Sequence, residues 1–157
     1  KAPVVCVRRA LRADSGGPGK FRGGLGVVQE IEMLTPAMYQ AQVERTQCPP
    51  WGLLEGRDGL PNGVGVRRKD GNLERFPSGK VNPLRLDEGD SYITEVGGGG
   101  GFCSPAERDP RRVLADVRSG YVSVESAERD YGVIIRQSGR RFVLDAEATQ
   151  RLRAERG

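Results

Sequence analysis

The strongest constraint on the fold of this chain is its uneven use of glycine, which is concentrated in two short stretches. Residues 14–26 hold six glycines in thirteen positions, and Gly97 to Gly101 form an uninterrupted run. Because glycine loses more conformational freedom on folding than any other residue, a fold that keeps this many must use the missing side chain. The sequence leaves three uses open: positive φ angles, close approach of two backbones, and exposed N–H groups that bind an anion.

The first two-thirds of the chain have the pattern of short β-strands separated by turns. Residues 4–11 are rich in β-branched side chains, and apolar residues alternate with polar ones over residues 25–34. Asp70-Gly71 and the acidic segment 87–90 are turn signals between later strands. Short strands at this spacing predict an antiparallel barrel- or sandwich-like arrangement. The expected strands are 4–11, 25–34, 38–45, 64–66, 73–76, 81–86 and 91–96.

After the glycine run the pattern changes to short helices. Asp109 is a favourable N-cap followed by proline, and Gly120 and Gly132 are placed to end two helices. The expected elements are a helix from Asp109 to Gly120, a second from Ser123 to Gly132, a hairpin over 133–144 and a terminal helix from Asp145 to about Glu155. We therefore predict an α+β fold that is mainly β. Its β-rich domain would cover residues 1–96, and residues 97–157 would pack with it as one unit.

Composition excludes several kinds of site. The chain has three widely spaced cysteines and no histidine, so we expect neither a disulfide framework nor a zinc site, and we predict no metal bound by this chain. No apolar stretch approaches the length of a membrane-spanning helix, which makes the cytoplasm the expected location. The chain opens at Lys1 on a strand-like run, which suggests a processed product or the tail of a longer chain.

The excess of positive charge lies near the N-terminus. The net charge is +4, and residues 1–26 carry six basic side chains against Asp14 alone. Such a segment binds phosphate, nucleic acid or an acidic protein face, or it is a solvated or interface-forming strand. Since the aromatic residues form no stacking platform, we do not expect a nucleic-acid partner.

The first glycine-rich stretch matches neither common nucleotide-binding motif. Asp14 stands where a phosphate-binding loop has its first glycine, and Phe21 replaces the Ser or Thr that would bind Mg²⁺. The third glycine of GxGxxG is also absent. Two interpretations remain open: an anion-binding nest assisted by Lys20 and Arg22, or a tight structural loop packed against another chain.

No set of acid, base and nucleophile can be assembled from the sequence, so we assign no catalytic residue. Cys103 would be a reactive thiol if it were exposed beside Arg108, but a lone cysteine is more often a small buried hydrophobe. The segment 87–90 offers too few oxygens for Ca²⁺, and an acidic turn is the better interpretation. Trp51, the single tryptophan, is expected to be a core or interface anchor.

Several segments resemble the C-terminal part of hydantoinase B/oxoprolinase-type subunits. Residues 14–26 are similar to the family signature Asp-Ser-Gly-Gly-x-Gly-x-Tyr/Phe-Arg-Gly-Gly-x-Gly, and residues 49–56 are similar to its Pro-Pro-aromatic-Gly-x-x-x-Gly element. Further matches are Leu86 to Asp90 before the glycine run, and then residues 107–110, 116–123 and 130–133. Phe102-Cys103-Ser104-Pro105 departs from the Tyr-Gly-Asp-Pro that usually follows the family's glycines.

The resemblance implies that the chain works inside a larger enzyme. Members of the family pair with a hydantoinase A-type subunit that binds ATP, and the complexes either hydrolyse cyclic amides such as hydantoin and 5-oxoproline or carboxylate ketones such as acetone and acetophenone. The implied partners are that ATP-binding subunit and the rest of a hydantoinase B-type subunit, in a hetero-oligomer without nucleic acid or membrane. ATP and a divalent metal (Mg, Mn or Zn) are expected on the partner subunits, with no cofactor on this chain. The family's upstream metal region, which uses His and Asp, has no counterpart in a chain without histidine.

The candidate functional residues lie in the two glycine-rich stretches. Lys20 and Arg22 would supply positive charge to a phosphorylated intermediate, while Asp14 and Ser15 would hold the loop. The first candidate loop comprises Asp14, Ser15, Gly16, Gly17, Lys20, Arg22, Gly23 and Gly24, and the second comprises Gly97, Gly98, Gly99, Gly100 and Gly101. The alternative is a purely structural, non-catalytic subunit that stabilises larger catalytic chains.

Overall fold

The computed structural model describes residues 3–156, which form two compact units. The first contains the chain up to Arg12, Gly26–Pro49 and Pro61–Gly97, and the second contains Ala13–Leu25, Pro50–Leu60 and the chain from Gly98 onward. The sequence-based division into 1–96 and 97–157 cuts the chain once. In the structure each unit is assembled from three segments that alternate along the chain.

Antiparallel strands make up the first unit. The strands are β1 (Val4–Leu11), β2 (Val27–Met33), β3 (Ala37–Gln42), β4 (Gly63–Arg67), β5 (Leu73–Arg75), β6 (Lys80–Leu86) and β7 (Ser91–Glu95). Five of them form one sheet in the order β1-β2-β7-β4-β5, and β3 pairs with β6 in a separate ribbon. Every pairing is antiparallel, as the turn signals predicted.

The core of the first unit lies between the five-stranded sheet and the ribbon. Met33 of β2, Val66 of β4 and Leu86 of β6 are buried together. Tyr39 of β3 stacks on Tyr92 of β7, with ring centroids 4.8 Å apart. Because alternate side chains of a strand point to opposite faces, the strands that line this core (β2, β3, β4, β6 and β7) place one face in the sandwich.

The two edge strands of the sheet, β1 and the short β5, do not follow this pattern, and β1 is the longer. It lies at the edge of the five-stranded sheet, and all eight of its residues are exposed. Apolar side chains stand on both of its faces, since the neighbouring residues Val4 and Val5 are 47% and 45% exposed. A long, exposed apolar edge strand is a template for pairing with another strand.

The second unit contains the helices. They are α1 (Pro110–Arg118), α2 (Val124–Tyr131) and α3 (Ala146–Arg156), with the hairpin strands β8 (Ile135–Ser138) and β9 (Arg141–Leu144) between α2 and α3. The N-caps are those the sequence predicts: Asp109 and Ser123 accept the N–H groups of Arg111 and Ser126 at 2.8 and 3.0 Å. Gly132 ends α2 with φ +61°, the left-handed conformation that favours glycine.

The helices and the hairpin share one apolar core. Its buried members are Val113, Val117, Val122, Ala127, Tyr131, Val133 and Ile135. Together with the strands of the first unit, these elements confirm the predicted α+β fold, mainly β, with helices and a hairpin after the glycine run.

Candidate functional site

Three glycine-rich segments meet in the second unit, and we call them the glycine cluster: residues 14–24, 51–59 and 98–102. Their backbones are hydrogen-bonded to each other. Gly17 N–H donates to the Gly99 carbonyl at 2.8 Å, and Gly99 N–H donates to the Gly24 carbonyl at 2.9 Å. Gly101 N–H donates to the Arg57 carbonyl at 2.9 Å. The two predicted loops therefore form one cluster, together with a third segment that begins at Trp51.

Close approach of backbones is the reason for glycine in this cluster. The glycines with positive φ lie elsewhere in the described chain, in turns and at helix ends. A Cβ on Gly98 would overlap the carbonyl of Ser15, and a Cβ on Gly100 would overlap the carbonyl of Trp51. Gly24 is different, because a Cβ there would meet no atom within 4 Å. Of the three uses that the sequence left open, the cluster relies on close approach.

Several N–H groups that were candidates for an anion-binding nest are used inside the chain. Those of Gly17, Gly23, Gly99 and Gly101 all donate to backbone carbonyls of the cluster at 2.8 to 2.9 Å. They satisfy the polar groups of a segment whose glycines are largely buried, as buried backbone groups must be satisfied.

Asp116 of α1 holds the first loop through Arg22. The Nε and Nη2 atoms of Arg22 donate to the two carboxylate oxygens of Asp116 at 3.2 and 3.3 Å, and its Nη1 donates to the Gly23 carbonyl at 2.6 Å. The guanidinium also lies over the ring of Tyr121, 5.5 Å from the centroid. Two parallel hydrogen bonds fix the orientation of the arginine as well as its position.

Arg108 shares the same carboxylate. Its Nη2 donates to Asp116 at 2.8 Å, and its Nη1 donates to the Lys20 carbonyl at 2.9 Å. The side chains of Arg22, Arg108 and Asp116 are only 15%, 10% and 11% exposed. Two buried guanidinium groups thus converge on one buried carboxylate, which ties the first loop to α1.

The remaining candidate residues of the first loop also have partners in this unit. Lys20 Nζ donates to Glu107 at 2.7 Å, and this hydrogen bond raises the lysine pKa. Asp14 accepts the Ser123 N–H at 2.8 Å, and its own N–H donates to the Tyr121 carbonyl at 3.0 Å. Ser15 is fully buried. Both cations of the loop are therefore in ion pairs with carboxylates of the same unit.

Two buried polar atoms near this network have no hydrogen-bond partner within residues 3–156: Nε of Arg108 and the hydroxyl of Tyr131. Burial raises the pKa of the Tyr131 hydroxyl to about 12, although Arg108 and Arg22 act in the opposite direction. Loss of water around a phenol favours its neutral form.

The glycine cluster also carries exposed apolar side chains. Phe102 pairs with Phe21 and with Leu53 in isolated β-bridges, and the rings of Phe21 and Phe102 are 6.2 Å apart. Trp51 and Leu54 are 65% and 69% exposed. Trp51 is thus not a core residue, and its predicted role as an interface anchor remains a prediction.

The other sequence candidates have structural surroundings. In the first unit, Asp90 is buried and accepts hydrogen bonds from Asp87 N–H, Lys69 N–H and Arg68, so the acidic segment is a turn as expected. Burial acts to raise the pKa of Asp90, but these hydrogen bonds outweigh it and lower the pKa. Cys103 is partly buried with φ +58°. No group of three or more metal-ligating side chains occurs in the part of the chain that the structure describes.

Sequence reasoning missed the role of Arg108 and Asp116. Both belong to segments that resemble the family, 107–110 and 116–123, but nothing in one sequence shows which distant residue they contact. The available signal was their position: Arg108 lies just before the predicted helix, and Asp116 lies on its apolar face, where a charged side chain needs a partner.

Comparison with known proteins identifies the family. The hydantoinase B/oxoprolinase family matches residues 1–105. The chain belongs to this family. A putative D-/L-hydantoinase of a Pseudomonas species has a B-type component that is 35% identical over 153 residues, which are 96% of this chain and 25% of that protein.

Solved structures agree with this assignment. The crystal structure of an ATP-dependent caprolactamase from Pseudomonas jessenii has a TM-score of 0.78 and 33% identity, over 97% of this chain and 26% of that one. A nucleotide-free acetone carboxylase has a TM-score of 0.82 over 98% of this chain and 24% of the other, and at 22% identity it supports the fold alone.

The chain spans about a quarter of the length of the curated relatives it matches. Among residues 3–156, no helix has the length and apolar character needed to cross a bilayer.

Proposed function

We propose that this chain is the C-terminal part, or a small subunit, of a hydantoinase B-type component in an ATP-dependent enzyme. The match of residues 1–105 to the family carries the proposal. The relatives named above include a hydantoinase component and an ATP-dependent caprolactamase, and each is similar to nearly all of this chain. The reaction is hydrolysis of a cyclic amide or carboxylation of a ketone, with a phosphorylated intermediate in either case.

The partners in this proposal are an ATP-binding hydantoinase A-type subunit and the rest of the hydantoinase B-type polypeptide, in the cytoplasm. They would hold the ATP and the divalent metal. Exposed apolar surface supports such partners, because β1 shows apolar side chains on both faces. The large apolar side chains of the glycine cluster, Phe21, Trp51, Leu53, Leu54 and Phe102, are also exposed. Contiguous apolar surface rimmed by polar residues is typical of protein interfaces.

A second candidate function is a purely structural one. It is favoured by the ion pairs of Lys20 and Arg22, because a cation that is paired within its own chain has less charge to offer a substrate. In this case the cluster only shapes the surface on which catalytic chains pack.

The assembly is tested by native mass spectrometry of the untagged chain purified from its source. We expect complexes with larger chains that include one with ATPase activity. Val7→Glu should lower the bound fraction, because it places a charge on the β1 edge. Val143→Glu is the matched control, since both valines are 54% exposed and Val143 lies on β9. A stable monomer from the wild-type chain would overturn the proposal, and equal losses in both variants would remove β1 from the interface.

The two candidate functions are separated by Lys20→Gln in the assembled enzyme. Lys20 is exposed, so the variant should fold and assemble. Slower substrate-stimulated ATP hydrolysis would give the loop a part in the chemistry. Unchanged turnover would favour the structural function.

A further inference from the structure

A cavity in the second unit, which shares Arg57 with the glycine cluster, is lined by three arginines. Its volume is about 220 Å³, and its lining includes Arg57, Arg153, Arg156, Ser104 and Asp130. It lies at the C-terminal end of α2, where Tyr131 and Gly132 complete the wall. Neither of the candidate loops contributes to it.

Two of these arginines are held in place by carbonyl groups. Arg153 donates through Nη2 to the Tyr131 carbonyl at 3.0 Å and to the Arg108 carbonyl at 2.9 Å. Arg156 donates through Nη1 to the carbonyls of Glu128 and Arg129 at 3.0 and 3.1 Å. These bonds orient the guanidinium groups at the C-terminal end of a helix, whose partial negative charge of about half a unit offsets only part of their positive charge.

The cavity has an excess of positive charge. Asp130 is the carboxylate among its lining residues, and it accepts from Arg57 at 2.9 Å and from Arg129 at 2.7 Å. Three arginines and one aspartate therefore line the cavity, and the carboxylate of that aspartate is also paired with Arg129 outside the lining. Arg153 is half-buried, and this burial lowers the pKa of its guanidinium.

We infer that this cavity binds a phosphate group. Three guanidinium groups against one carboxylate leave a charge of +2, which a phosphate dianion balances and a single carboxylate does not. Planar guanidinium groups pair with phosphate oxygens through parallel N–H bonds, and the Ser104 hydroxyl can donate to a further oxygen. A volume of about 220 Å³ accommodates inorganic phosphate or a small phosphomonoester, whereas larger ligands occupy sites of about 300–1,000 Å³.

This inference does not depend on the proposed function, because it uses only the lining of the cavity. A second basic concavity lies at the hairpin, where Arg118, Arg140 and Arg141 line about 430 Å³. Arg140 and Arg141 are exposed there. The experiment must therefore tell the two sites apart.

The test is isothermal titration calorimetry of the full chain with inorganic phosphate, phenyl phosphate and ADP at constant ionic strength. We expect saturable one-to-one binding of phosphate and phenyl phosphate, with no gain in affinity for ADP. Arg156→Gln should weaken phosphate binding about tenfold, as expected for the loss of one charge-assisted contact. Arg57→Gln is a second variant that leaves the carbonyl contacts of α2 intact, and it should weaken binding in the same direction.

Two controls keep the result specific. Arg112→Gln makes the same change in net charge on exposed α1 surface outside the cavity, and it should leave the affinity unchanged. Arg141→Gln reports on the hairpin concavity. Absence of saturable phosphate binding would overturn the inference. So would loss of affinity in Arg112→Gln or Arg141→Gln with none in Arg156→Gln and Arg57→Gln, because phosphate would then follow general charge or the hairpin.

Discussion

The two units of this chain are stabilised in different ways. In the first unit, alternate apolar side chains such as Met33, Val66 and Leu86 fill the space between a sheet and a ribbon. In the glycine cluster of the second unit, neighbouring backbones fill the space themselves and are joined by hydrogen bonds, while Asp116 fastens the first loop through two arginines. A glycine-rich segment is therefore not evidence of flexibility when another backbone occupies the place of its side chains.

The difference predicts different tolerance to mutation. An apolar core accepts changes of shape when neighbouring side chains can adopt new rotamers. A carbonyl that is hydrogen-bonded in place cannot move aside in this way without breaking its own bonds. The glycine cluster should therefore be the more sensitive of the two regions to a single added carbon.

Gly98→Ala should have the largest effect, because the new Cβ would overlap the backbone carbonyl of Ser15. We expect a loss of at least about 4 kcal/mol in the free energy of unfolding, beyond the usual cost of overpacking. Chemical denaturation measures the loss, and amide hydrogen exchange should locate it in the second unit.

Gly24→Ala is the matched control within the same cluster. Gly24 is exposed, its φ is not positive, and a Cβ there meets no atom within 4 Å. The free energy of unfolding should change by less than about 1 kcal/mol. Equal losses in the two variants would show that glycine is needed for its conformational freedom and not for close approach.

Asp116→Ala should have the next largest effect, since it leaves Arg22 and Arg108 buried without their shared carboxylate. We expect a loss of about 3 to 4 kcal/mol, measured by denaturant unfolding. Glu107→Ala is its control, because that carboxylate pairs with Lys20 at an exposed position. A similar loss in both variants would argue against a special role for the buried ion pairs.

Leu86→Ala tests the first unit, where a fully buried side chain lies between the sheet and the ribbon. A loss of about 3 kcal/mol is expected from reduced burial and the cavity left behind. If the loss exceeded that of Gly98→Ala, the glycine cluster would not be the more sensitive region. Thermal unfolding of the two variants under the same conditions makes this comparison.

Tyr131→Phe should have the smallest effect at neutral pH, within about 1 kcal/mol, because the buried hydroxyl has no hydrogen-bond partner within residues 3–156. Its effect should appear in alkali. The pKa of Tyr131 rises from 10.0 to about 12 on folding, so the stability linked to its neutral form is complete below pH 10 and is lost as the pH rises through about 12.

The measurement is the free energy of unfolding of the wild-type chain and the variant between pH 9 and about 12, a range set by that pKa shift. Wild type should lose stability relative to Tyr131→Phe as the pH rises. Parallel curves would mean that the phenol has the same pKa in the folded and unfolded chain.

Much of the fold could be predicted from local sequence signals. Alternation of apolar residues located β2, and the caps Asp109, Ser123 and Asp145 located the helix starts. Gly132 marked the end of α2 because only a residue that tolerates the left-handed conformation fits there. These features depend on neighbours in the chain, which a single sequence displays.

The arrangement of the candidate site could be predicted only in part. The glycines of 14–26 and 97–101 stand out in the sequence as candidate loops, but the sequence could not choose among their uses, since a backbone–backbone contact leaves no pattern in residue type. The pairing of Arg22 with Asp116 was also invisible, because the chain offers many other carboxylates. The sequence also did not reveal that segments of the two units alternate along the chain. That division is set by contacts between residues far apart in the sequence, which a single sequence does not display.

Because segments of the two units alternate along the chain, residues that pair in the folded protein leave the ribosome at different times. Arg22 lies 94 residues before Asp116, the residue that holds it. At a synthesis rate of about 5–20 residues per second, the first glycine loop would leave the exit tunnel about 5 to 20 s before Asp116 does. During that interval it is an unpaired backbone of small and polar residues, which makes it a natural site for proteolytic cleavage in the nascent chain.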